Sequence, residues 1–182
     1  MTGPVLVVVD MQQVFGDPAS PWFTPGFSDA EAAIAGMVPA FGDRVIFTRF
    51  VAPARPEGAW VPYYEQWPFA LVPADDPIYD LVLAFRDTGH PVVSEPTFGK
   101  WGPDLRAALD GSLDVVLAGV STDCCVLSTA LGAADAGVRI RVAADACAGL
   151  SDADHQRALD AMALYAPLIE ITDSTEILRE LG

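Results

Sequence analysis

Two adjacent cysteines, Cys124 and Cys125, sit where an apolar run gives way to a helical composition. Val115 to Val120 is short and β-branched enough for a buried strand. Ser121-Thr122-Asp123 supplies helix N-cap residue types. From Cys124 to Ala136 alanine and leucine dominate, up to a stop at Gly137. A cysteine in the first turn of that helix meets free backbone N–H groups and the positive end of the helix dipole, which lower a thiol pKa. The stretch is therefore a place for a cysteine nucleophile. The competing reading is two small buried hydrophobes, a common fate of free cysteine.

A nucleophile needs a base and a counter-charge. Val5 to Val9 is a continuous apolar run that ends in Asp10, which puts a carboxylate at the C-terminal tip of a central parallel strand, where open α/β sheets hold their chemistry. Pro91 to Ser94 is a shorter strand, and the loop after it carries Lys100, the one lysine of the chain, among Gly and apolar residues. A thiol, a carboxylate and an ammonium meeting at strand ends form a coherent site. The carboxylate takes the thiol proton, and the ammonium holds the carboxylate and the thiolate that forms.

The elements that must position these groups alternate. Helices are expected over Ser28–Met37 (with Ser28 as cap), from Asp76-Pro77 to about Asp87, over Asp104–Leu109, Ala153–Tyr165 and Ser174–Leu181. Further strands are expected over Arg44–Phe50, Val138–Asp145 and Leu168–Thr172. Strand, helix, strand throughout implies a three-layer α-β-α fold with a mainly parallel six-stranded sheet. Residues 51–76 form the longest irregular segment, with five prolines and Trp60, Tyr63, Tyr64, Trp67 and Phe69. Such a loop either roofs a pocket or forms a subunit interface, and aromatic enrichment favours the interface. Phe15, Trp22 and the aromatics between Trp60 and Trp67, with Trp60 and Tyr64 foremost, are the candidates for a pocket wall.

The 182 residues suit one domain, 1–182. Ten Lys and Arg against 25 Asp and Glu give a net charge of −15, which argues against nucleic acid and anionic membrane surfaces as partners. No apolar stretch approaches a membrane span, and the N-terminus lacks the basic start of a signal peptide. Three cysteines make no disulfide framework, so a reducing cytoplasm is the expected location. With no Gly-rich nucleotide fingerprint and no P-loop, no cofactor is expected.

Three segments now carry a resemblance to the isochorismatase-like superfamily of cysteine hydrolases, which includes nicotinamidases and N-carbamoyl amidases. Gly119-Val120-Ser121-Thr122-Asp123-Cys124-Cys125-Val126 with Thr129-Ala130 is similar to the family's Gly-Val-x-Thr-Asp-x-Cys-Val-x-x-Thr-Ala. Val7-Val8-Val9-Asp10-Met11-Gln12 resembles its strand ending in Asp with Gln two residues on. Asp145-Ala146-Cys147-Ala148, followed by His155 and Ala158-Leu159, resembles the segment after the fifth strand.

The resemblance implies an isochorismatase-like (Rossmann-like) fold, with Cys125 as nucleophile, Cys124 as the variable position before it and Asp10 as general base. It also implies a cis peptide at Val120-Ser121 and an oxyanion hole from the Ser121 and Cys125 amides. A gapless overlay puts Glu95 on the family's usual lysine, so Lys100 and Glu95 compete for that place, and Lys100 is assigned to it. Nicotinamidases resemble one another in an Asp-x-His segment that binds a metal. Here that region reads Thr48-Arg49-Phe50-Val51-Ala52-Pro53, so no metal is expected. The implied reaction is hydrolysis of a C–N bond in a small amide or carbamoyl/ureido compound through a thioester. The alternatives are vinyl-ether hydrolysis of the isochorismatase type, whose enzymes commonly lack the cysteine, or a catalytically silent binding protein. A homo-oligomer, dimer or larger, is the implied assembly.

Overall fold

The computed structural model describes residues 3–182, and the strand Val5–Val9 (β1) lies at the middle of its sheet. All five residues of β1 are buried, because both faces are covered. The pleat sends Leu6 and Val8 into one core and Val5, Val7 and Val9 into another. A strand with no polar face reads as a continuous apolar run, which is why β1 is legible without alternation.

The other strands are Val45–Phe50 (β2), Val92–Glu95 (β3), Asp114–Val120 (β4), Arg139–Ala148 (β5) and Ile169–Thr172 (β6). They run parallel in the order β3-β2-β1-β4-β5-β6. The chain builds outward from β1 in one direction, then returns to its other side with β4. The crevice between the carboxyl ends of β1 and β4 is thus the topological switch point, where this kind of sheet binds ligands. Three short helices, Gln13–Gly16 (α1), Trp60–Gln66 (α3) and Leu83–Arg86 (α4), lie in the connections. Helices Phe27–Phe41 (α2) and Ser174–Leu181 (α8) cover one face of the sheet. Pro103–Ala108 (α5), Leu127–Asp135 (α6) and Asp152–Ala163 (α7) cover the other. Among the described residues no helix is long and apolar enough to cross a membrane.

The segment expected to be irregular, 51–76, contains α3 and a 3-10 turn, Pro68–Ala70, and two expected helices differ. Ser28 lies inside α2, one residue past its start, and Gly26 occupies the cap position. The helix expected from Asp76 to Asp87 is broken into a 3-10 turn, Pro77–Tyr79, and α4. Asp76 does cap the first piece, accepting from the Ile78 amide at 3.0 Å. The break follows from tertiary hydrogen bonds: Gln13 N–H donates to the Asp80 carbonyl and Val82 N–H donates to the Met11 carbonyl, both at 2.9 Å. Pairing with the segment after β1 holds residues 80–82 extended, overriding local helix propensity.

Gln12 anchors the same junction. Its buried amide donates to the carbonyls of Phe50 (2.9 Å) and Tyr79 (2.8 Å) and accepts from the Phe50 amide (2.7 Å). One side chain thereby fastens the end of β1 to the end of β2 and to the segment leading into α4.

Candidate active site

At the tip of β1 the backbone of Asp10 turns left-handed, with φ of 51°. Asp tolerates this conformation better than most residues, and the turn ends the strand. Asp10 is fully buried. Thr48, the hydroxyl in the otherwise apolar interior of β2, donates to its Oδ1 at 2.7 Å and accepts from its N–H at 3.3 Å. Lys100 Nζ lies 2.9 Å from Oδ2, with both side chains fully buried.

Lys100 reaches this point from the edge of the sheet. The loop after β3 runs back across the strand ends and is pinned where the Lys100 amide donates to Thr129 Oγ1, 2.9 Å away on α6. Thr129 Oγ1 in turn donates to the Cys125 carbonyl at 2.6 Å, a bond between residues four apart that a helical hydroxyl makes readily. The ammonium also donates to the Thr97 carbonyl at 2.7 Å and lies 5.1 Å from the Phe50 ring centre. Glu95 takes another course. Its carboxylate lies beside Gly102, where a Cβ would come within 2.9 Å of Oε1. Of the two candidates, Lys100 is the one that meets Asp10.

The turn after β4 completes the cluster. Gly119 has φ of +119° and packs directly on the Val9 backbone. The Val120–Ser121 peptide is cis. Thr122–Val126 then forms a π turn instead of the first turn of an α-helix. The Ser121 carbonyl accepts from the Cys124 amide (3.3 Å) and the Val126 amide (3.1 Å). The wider turn therefore passes over the Cys125 N–H, which an α-helix would have used. Such single-turn π features recur at functional sites because they release backbone groups from the ladder. Thr122 Oγ1 lies 2.8 Å from His155 Nδ1, and Asp123 Oδ1 accepts from the Leu150 amide at 3.0 Å, fixing the turn against α7 and the loop before it.

Cys125 is buried between this turn and Asp10. Its thiol is held well above the ordinary thiol range. Burial is the largest cause, the Asp10 charge adds to it, and Lys100 pulls the other way. A helix start alone would lower the pKa; burial beside a carboxylate outweighs it, since removing a thiolate from water disfavours the charged form. Iodoacetamide alkylation of Cys125, followed in a Cys124→Ser background, should keep accelerating as pH rises through about 9, the region of an ordinary thiol. A plateau reached near neutrality would mean that the thiolate is already formed. Cys147, on β5, is pushed up to about 12 by burial and faces Gly119 in the sheet register, away from Asp10 and Lys100.

Beside the thiol lies a pocket of about 210 Å³. Its apolar wall is built from Phe15, Trp22, Phe50, Tyr63, Trp67 and Phe98. Trp22 is the hub: it stacks on Phe15 (6.1 Å between ring centres) and meets Phe50, Trp67 and Phe69 edge to face. Of the sequence candidates, Phe15, Trp22, Tyr63 and Trp67 line the pocket. Trp60 and Tyr64 stand one layer behind it. Trp60 packs on Tyr63 and Phe98, and Tyr64 is buried against Trp60 and Tyr63. The helical turn of α3 puts Tyr63, not its neighbours, toward the cavity. All five loop aromatics are buried or half-buried within the chain, and Tyr63 and Trp67 are the two on the cavity wall. Burial also pushes the Tyr63 hydroxyl up to about 12, so it stays neutral.

Sequence spacing does not single out Thr48, Thr129 or Phe98 as site residues. Thr48 carries a signal nonetheless, a hydroxyl inside an apolar strand beside β1. Thr129 carries one too, four residues after Cys125. Phe98 depends on how its loop folds over the sheet, which spacing does not encode.

Comparison with known proteins agrees with this architecture. Residues 4–176 match the family model described as the isochorismatase domain. A curated relative, isochorismatase domain-containing protein 2 of Xenopus laevis, is 42% identical over 60 residues. That match covers 33% of this chain and 26% of the Xenopus protein. A cysteine hydrolase from Pseudomonas syringae pv. phaseolicola 1448A superposes with a TM-score of 0.87 at 20% identity, covering 98% of this chain and 92% of that one. A pyrazinamidase of Pyrococcus horikoshii, solved in complex with zinc, gives a TM-score of 0.76 at 24% identity, covering 93% and 98%. Among the described residues of the present chain, no three His, Cys, Asp or Glu side chains converge to hold a metal ion. His155 is engaged by Thr122, and His90 packs on the Phe47 ring, so the donor set does not fit zinc.

Proposed function

The chain belongs to the isochorismatase family of hydrolases, and from that premise we propose that it is a metal-independent cysteine hydrolase, one catalytic domain over residues 1–182, cleaving a C–N bond in a small amide or carbamoyl compound. The observation that carries the reading is the fully buried Lys100–Asp10 pair beside the buried Cys125 thiol, which lies on the wall of an apolar pocket.

In the resting site the thiol keeps its proton. As Sγ attacks the substrate carbonyl carbon, that proton passes to Asp10, so no free thiolate has to accumulate in a buried place. Lys100 stays charged throughout. The negative charge moves from the Asp10 carboxylate to the substrate oxygen and returns to Asp10 as the thioester forms, so no charge is stranded. The oxyanion forms beside the Ser121 and Cys125 amides. Losing one such donor typically removes about 2.7–4 kcal/mol of transition-state stabilisation. Asp10 returns its proton to the nitrogen, the C–N bond breaks and ammonia or an amine leaves. Water, deprotonated by the same carboxylate, attacks the thioester carbon, releasing the carboxylic product and restoring the thiol.

Cys125 favours this route over the vinyl-ether reaction, which has no covalent step for a thiol to perform. Cys125→Ala should leave the fold intact, abolish the acyl-enzyme mass adduct and reduce amide turnover at least a thousandfold. The check is a hydrolysis screen over linear ureido acids, primary amides and isochorismate, with intact-protein mass spectrometry. Full activity in the alanine variant would end the covalent proposal.

A further inference from the structure

One lining residue of the pocket has a polar atom that nothing in the protein satisfies. Thr24 is 1% exposed, its side chain borders the cavity beside the Phe15–Trp22 stack, and its hydroxyl has no hydrogen-bond partner. The backbone around it is fully engaged. Its N–H donates to the Phe15 carbonyl at 2.9 Å and its carbonyl accepts from the Phe27 amide at 3.0 Å. Local turn formation thus accounts for the backbone of Thr24 and leaves its hydroxyl unexplained. A buried hydroxyl without a partner is unfavourable, and valine would fill the same volume without that penalty.

The charges around the cavity point the same way. Among the described residues none of the lining side chains is Lys, Arg or His. Lys100, the nearest cation, is held by Asp10 and the Thr97 carbonyl behind the wall. Asp123 contributes a carboxylate to the rim, with one oxygen on the Leu150 amide. A substrate carboxylate entering here would lose its hydration, find no cation and meet a like charge. The volume of about 210 Å³ is below the roughly 300–1,000 Å³ of pockets that take drug-sized ligands, so what enters is small.

We infer that Thr24 is the specificity-determining residue of this pocket. It hydrogen-bonds a single polar atom on an otherwise apolar, small and uncharged acyl group, and the pocket excludes acyl groups that carry a carboxylate. The inference rests on the hydrolase reading for what the acyl group is attached to, but recognition is separable from turnover. It narrows the substrate class, because ureido acids carry the charge this pocket rejects and neutral amides do not. A site built to bond one polar atom discriminates against the analogue that lacks it, because its own group is then left unpaired.

The test uses binding to the Cys125→Ala chain, read by the fluorescence of Trp22 and Trp67, which line the cavity. The probes are benzamide, its three pyridine ring-nitrogen isomers and benzoate. Benzamide and the isomers should bind and benzoate should not. One nitrogen position should bind best, and Thr24→Val should weaken that isomer about tenfold, the size of one hydrogen bond left unmade, while leaving benzamide unchanged. Thr24→Ser should restore the preference. The inference is overturned if benzoate binds as well as benzamide, if Thr24→Val affects every probe equally or none, or if no probe binds. Hydrolysis by the unsubstituted chain is measured separately. Selective, Thr24-dependent binding without turnover would sink the hydrolase reading and support the recognition.

Discussion

Lys100→Met is expected to destabilise the protein by about 3–5 kcal/mol, the usual consequence of leaving one partner of a buried ion pair alone. For a chain of this size that is a fall in Tm of roughly 6–20 °C. The cause is specific. Asp10 has no exposure to water, and with the ammonium gone the Thr48 hydroxyl would be the one side-chain hydrogen-bond donor left on its carboxylate. Asp10→Asn in the same chain removes the orphaned charge, so the double variant should be more stable than Lys100→Met alone, a coupling that a thermal double-mutant cycle measures directly. Both variants should be inactive, since one lacks the counter-charge and the other the base. If the two losses of stability simply add, the pair is not coupled and its central place in the site is wrong. Lys100→Arg should not rescue. A planar fork cannot occupy a position that presents one donor to Asp10 and another to the Thr97 carbonyl beside the Phe50 ring.

The same pair marks how far the sequence can be read. β1, Asp10 and the cysteine turn are legible because each is local: an apolar run, its polar end, and a strand feeding cap residues. Lys100 is ambiguous because its role depends on a loop that starts at the sheet edge and returns across two strands, and spacing counted along the chain places Glu95 nearer the expected position. Burial settles what periodicity does not. The reactive-thiol expectation has the opposite fate. Helix-start physics applies to Cys125, but a neighbouring carboxylate and near-complete burial are tertiary facts that reverse its sign. The 51–76 loop declares itself by composition alone, and the rotation of α3 decides that Tyr63 meets the cavity while Trp60 and Tyr64 stand behind it.

Gly119→Ala should be among the most damaging single methyl additions possible in this chain. Its φ of +119° is one that L residues rarely adopt, and an added Cβ would fall 2.1 Å from the Val9 carbonyl oxygen and 2.6 Å from the Val9 nitrogen. Neither neighbour is a side-chain end that could swing away; both belong to the backbone of β1. Relief requires β4 to move off β1, and those two strands carry the Cys125 turn and Asp10 respectively. A loss of about 3 kcal/mol or more is expected, and activity should fall further than stability because the separation opens between Cys125 and its base. Gly36 supplies the contrast. It lies on the exposed side of α2, and a methyl group added there would meet nothing within 4 Å, so Gly36→Ala should stabilise by about 0.5–1 kcal/mol through helix propensity. Thermal denaturation of the two variants, with residual hydrolysis measured well below each Tm, separates the proposals. A Gly119→Ala protein as stable and active as Gly36→Ala would show that close contact between β1 and β4 is not what holds the thiol and the carboxylate together.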